Sequence, residues 1–112
     1  MSESEGLAFG LKPREFRAVV GVLSKHPEVR RALIYGSRAR RDHLATSDID
    51  IAVEPADAGA KPNLRGALME DFSELDIILK VDVVDLAQLP DDSFKAAVLA
   101  EGVEIYPLQR SE

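Results

Sequence analysis

The stretch Ile34 to Val53, IYGSRARRDHLATSDIDIAV, constrains this chain more than any other. It breaks an apolar strand at Gly36-Ser37, then opens a second apolar run carrying two carboxylates, Asp48 and Asp50, one residue apart. Side chains alternate with period two along a strand, so these carboxylates share a face. Neighbouring like charges repel there and raise one another's pKa. A divalent cation removes the conflict, and carboxylates select a hard one such as Mg²⁺, which is usually held by one or two carboxylates together with substrate phosphates. The segment points to phosphoryl or nucleotidyl chemistry.

Apolar spacing sets out the elements around it. Pro13 to Lys25 reads as a helix with Phe16, Val19, Val20 and Leu23 on its core face and Pro13 in its first turn. Val29 to Tyr35 is a buried strand, and Asp48 to Glu54 is a second with Ile49, Ile51 and Val53 on one face and Asp48, Asp50 and Ala52 on the other. A loop over Pro55 to Pro62 leads to a helix from about Asn63 to Glu74, with Leu64, Leu68, Phe72 and Leu75 inward. Ile77 to Asp85 is the third strand; Asp91 caps a helix from Asp92 to Glu101 that ends at Gly102, and Val103 to Tyr106 adds a short edge strand. The expected class is α/β, a small mixed sheet of three to four strands with flanking helices. If the first two strands pair antiparallel, Gly36-Ser37 lies beside Asp48 and Asp50. A right-handed helical crossover then makes strands two and three parallel, which brings Asp82 beside Asp50.

With Gly-Ser, the spacer RARRDHLATS and Asp-x-Asp, the chain resembles the nucleotidyltransferases of the DNA polymerase beta type. The form GSRARRD…SDIDIAV is most similar to the minimal nucleotidyltransferase (MNT) proteins, antitoxins of HEPN-domain toxins, and the likeness runs from about Phe16 to Tyr106. It implies a polymerase beta palm-like fold, with Asp82 in VDVVDL as the third carboxylate. It also implies two Mg²⁺ ions held by Asp48, Asp50 and Asp82, with ATP as donor and a HEPN-type toxin as partner and acceptor. In that reading Gly36 lets the backbone approach the β- and γ-phosphates and Ser37 donates its N-H and hydroxyl to them. Arg40, and next Arg38, meets a phosphate. The family's usual Gly is replaced by Arg41, and Gly permits backbone angles that Arg reaches only with strain.

Each of these residues has a plainer use. Gly36 serves any tight turn, and Arg38, Arg40 and Arg41 read equally as an exposed charged loop. Asp85 competes with Asp82, although alternation puts it on the opposite face and with Gln88 it forms a capping pair. His26 and His43 lack a ligand partner at a useful spacing and read as surface residues.

Composition bounds the rest. The 112 residues suit one domain over 1–112, with 1–6 and 107–112 expected to be mobile, and leave no room for a separate acceptor-binding domain. A partner protein is therefore expected to bring the acceptor. A net charge of −6 argues against broad, salt-driven nucleic-acid binding. Cysteine is absent, which excludes disulfides and thiolate metal sites. The polar N-terminus MSESEG is unlike a signal peptide and no apolar run reaches membrane-spanning length, so a cytoplasmic location is expected. Two rivals to transfer onto a toxin stay open: an antitoxin that merely covers its partner, and nucleotidyl transfer to a small molecule or RNA.

Overall fold

The computed structural model describes residues 9–57 and 63–107; the 1–6 segment, residues 108–112 and the end of the 55–62 loop lie outside the described residues. Helix α1 (Pro13–Ser24) leads into strand β1 (Val29–Tyr35), a short helix α2 (Ser37–Arg40) and strand β2 (Ile49–Pro55). Helix α3 (Leu64–Ser73), strand β3 (Val81–Asp85), helix α4 (Ser93–Glu101) and strand β4 (Val103–Tyr106) follow. The strands lie in the order β3-β2-β1-β4, with β1 antiparallel to β2 and β4, and β2 parallel to β3. This is the expected mixed sheet.

Alternation divides the strands between two layers. Ala32, Ile34, Ile49, Ile51, Val53, Val81 and Val83 point to the side packed by α1 and α3, where Val19, Val22, Leu23, Leu64, Leu68 and Phe72 close the larger core. Leu33, Tyr35 and Ala52 point the other way and meet Leu86 and Val98. The turn at Leu86 and helix α4 cover this second face, and α4 buries Val98 while leaving Phe94 and Leu99 about half exposed. Asp50 and Asp82 alternate onto this thinly covered face, and both stay partly exposed.

Four local expectations change. The buried stripe of α1 runs through Val19, Val22 and Leu23, with Val20 only half-buried, because α3 and the sheet approach from Val22's side. Strand β3 starts at Val81 rather than Ile77: its partner β2 begins at Ile49, whose N-H donates to the Lys80 carbonyl at 2.8 Å, so residues before Lys80 have nothing to pair with. Ile78 is consequently almost fully exposed. The cap of α4 is Asp92, which accepts from the N-H groups of Phe94 and Lys95 at 3.1 Å each, whereas Asp91 pairs with the Lys95 ammonium at 3.2 Å. Finally, His26 is not a surface group. Its Nε2 lies 2.7 Å from Asp71 Oδ2 and ties the end of α1 to α3.

Candidate active site

Three strand ends converge on the thinly covered face. Tyr35, the last residue of β1, sits opposite Asp50, and Asp50 in turn is the register partner of Asp82 on β3. Gly36 follows Tyr35 with φ +77°, a left-handed conformation that glycine adopts freely. It also lies hard against Asp50: a β-carbon there would come within 2.7 Å of Asp50 Oδ2. The corner after β1 and the carboxylate of Asp50 are thus in contact. Asp48 stands just ahead of β2, exposed at the mouth of the group.

Burial raises the pKa of Asp50 above the ordinary carboxylate range, and the charges of Asp82 and Asp48 raise it further, while Arg38 and Arg40 pull it back. Withdrawal from water leads the shift and neighbouring like charge adds to it. Among the described residues no three His, Cys, Asp or Glu side chains form a ready-made ion cage. The donor set still suits Mg²⁺, which asks for hard oxygens and takes its remaining ligands from water and phosphate. Burial pushes the Tyr35 hydroxyl up to about 12, with Asp50 and Asp82 adding to the shift, so it stays protonated beside them. Its ring meets that of Phe94 edge-on, with centroids 6.1 Å apart.

The loop arginines have separate duties. Arg38 is not available for a phosphate: it is buried and donates to the carbonyls of Phe9 (2.8 Å), Ala45 (3.2 Å) and Ser47 (2.9 and 3.2 Å). Its planar fork is used to fold the loop that delivers Asp48, because the loop's inward carbonyls need donors. Arg40 is half-exposed and pairs with Asp42 (3.1 Å) and Glu101 (3.2 Å), contacts weak enough for an incoming phosphate to displace. Arg41 holds φ +68°, a left-handed conformation that glycine adopts more readily than arginine. His43 is half-buried, and a β-carbon on Gly10 would collide with its ring.

Asp85, the rival third carboxylate, is buried and accepts from Ala87 N-H at 2.9 Å, capping the 3-10 turn Leu86–Gln88 away from the site. Sequence reasoning missed two neighbours. Arg65 on α3 donates to the Val83 carbonyl at 2.6 Å and approaches Asp82 Oδ1 at 3.8 Å. Tyr35 was read only as strand. The signal for Tyr35 was its place immediately before Gly36; Arg65 carried none, because its contact depends on the crossover.

Residues 18–111 match the polymerase beta nucleotidyltransferase family. The chain belongs to that family. Among solved structures, this nucleotidyltransferase is similar to a toxin-antitoxin complex crystallised with AMP-PNP, at 27% identity and a TM-score of 0.65 over 81% of this chain and 72% of that one. An MntA-HepT toxin-antitoxin structure gives 25% identity and a TM-score of 0.61, covering 85% of this chain and 72% of that one. A Sulfolobus solfataricus protein provisionally named a nucleotidyltransferase gives 28% and 0.52, covering 91% and 82%. No curated protein matches the nucleotidyltransferase significantly. No helix among the described residues is long and apolar enough to cross a membrane.

Proposed function

We propose that this nucleotidyltransferase is a single-domain cytoplasmic antitoxin that moves AMP from ATP to a tyrosine hydroxyl of a HEPN-type toxin. The pairing of Asp50 with Asp82, pressed against Gly36, carries this reading, since it joins two carboxylates to a corner with no side chain in the way. Likeness to toxin-antitoxin structures, one crystallised with AMP-PNP, supports the choice of partner and donor.

Asp48, Asp50 and Asp82 would hold Mg²⁺, which when bound supplies positive charge at the attacking and leaving oxygens. Ser37 would donate its N-H and hydroxyl to the β- and γ-phosphates, and Arg40 would exchange Asp42 and Glu101 for a phosphate oxygen. The acceptor hydroxyl attacks the α-phosphorus as the bond to the bridging oxygen breaks and pyrophosphate leaves. The hydroxyl proton passes to Asp82. Tyr35, protonated throughout, is no base and leaves that role to the carboxylate.

Incubation with ATP, Mg²⁺ and the partner toxin, followed by intact mass analysis, tests the proposal: the toxin should gain one or more AMP units. The rival is an antitoxin that only covers its toxin, and the strained Arg41 in place of the family's glycine favours it. Ser37→Ala and Arg40→Ala discriminate. Loss of protection in cells with toxin contact intact supports transfer; full protection by both variants supports cover alone.

A further inference from the structure

Arg65 lies at the start of α3, yet its guanidinium is used on β3. Nε donates to the Val83 carbonyl at 2.6 Å, and the terminal nitrogen Nη2 stands 3.8 Å from Asp82 Oδ1. The anchor is the main chain of the residue next to Asp82, which holds the charge near the carboxylate it faces. A planar fork can grip a carbonyl with one nitrogen and face a carboxylate with another, whereas an ammonium is a single point of charge. Arg38 donates to loop carbonyls and Arg40 pairs with Asp42 and Glu101, whereas Arg65 faces Asp82.

We propose that Arg65 is a built-in counter-ion, anchored on Val83 to balance Asp82 while no divalent cation is present and thereby setting how tightly one binds. The inference rests on the nucleotidyltransferase reading of the carboxylates. Arg65 is a positioning residue: its charge keeps Asp82 aimed along the strand edge without Mg²⁺, then opposes the incoming ion. Both side chains are about half exposed, 52% and 42%, so the effect is modest.

Melting temperature, measured on the full chain without nucleotide or toxin from EDTA through a Mg²⁺ titration, tests this for wild type, Arg65→Gln and Arg65→Lys. Arg65→Gln should melt lower than wild type in EDTA, yet reach its Mg²⁺ midpoint at about two- to fivefold lower concentration, the scale expected of one half-exposed charge pair. Arg65→Lys should bring the midpoint back to within about twofold of wild type because it restores the charge. Added NaCl should narrow the gap in midpoint. Equal destabilisation of both variants with unchanged midpoints would reduce Arg65 to a structural prop on Val83 and overturn the proposal. A higher midpoint in Arg65→Gln would overturn it as well. A wild type that does not respond to Mg²⁺ at all would remove the metal-site reading together with the inference.

Discussion

Gly36 presses against Asp50: the space a β-carbon would take on the first is filled by the carboxylate of the second, 2.7 Å away. The relationship links the corner after β1 to the Asp50–Asp82 pair through one missing methyl group. Gly36→Ala should therefore misplace Asp50 and strain a backbone at φ +77°. We expect transfer to fall on the order of 100-fold, as for other misplacements of about 1 Å, at a stability cost of about 1–3 kcal/mol. Single-turnover transfer and chemical denaturation measure the two parts.

Asp50→Asn should abolish transfer but raise the melting temperature of the metal-free protein at neutral pH. The sign follows from the upward shift of Asp50, caused by burial and then by Asp82 and Asp48. A carboxyl whose folded pKa lies above its unfolded value contributes stability below the unfolded pKa and loses it as pH rises through the folded one. The advantage of the Asn variant should shrink as pH falls into the carboxylate range. Melting curves from pH 7 to pH 4 in EDTA check this, and an Asn variant less stable at pH 7 contradicts it.

Arg41→Gly should stabilise the protein by about 1 kcal/mol, since the left-handed φ of +68° costs an ordinary residue roughly that much. Transfer should be retained or modestly raised. A large loss of activity in this variant would make the Arg41 side chain a functional contact.

Arg38→Ala should be the most destabilising change in the loop, by about 3 kcal/mol, because it leaves the carbonyls of Phe9, Ala45 and Ser47 short of a donor. Arg40→Ala, which breaks only exposed pairs with Asp42 and Glu101, should cost under about 1 kcal/mol while weakening ATP binding. Urea denaturation beside nucleotide titration separates the two. The reverse ranking in stability would refute the assignment.

Asp82→Asn should remove transfer and spare the fold, whereas Asp85→Asn should cost about 0.5–2 kcal/mol through its cap on Ala87 and leave transfer largely intact. Activity assays on both variants settle which carboxylate is the third.

Much of this was readable from the chain. Period-two alternation separated Ile49, Ile51 and Val53 from Asp50 and Ala52, and the crossover rule brought Asp82 to Asp50 before any coordinates. The departure from glycine at Arg41 anticipated its left-handed backbone. What was hidden depended on long-range geometry. Nothing in RARR distinguishes a buried Arg38 from an exposed Arg40; the difference comes from carbonyls at Phe9, Ala45 and Ser47 that only the folded loop turns inward. The apolar run Ile77-Ile78-Leu79 looked like strand because a sequence does not say where the neighbouring strand begins.

The Arg38 hydrogen bond to the Phe9 carbonyl has one further consequence. The sequence shared with the family starts at residue 18, yet one anchor of the loop that presents Asp48 lies nine residues upstream of that boundary. The support of this loop thus begins earlier in the chain than kinship does. A protease nick between Gly10 and Leu11 would leave Asp48, Asp50, Asp82 and the four strands in place and still loosen the approach to Asp48.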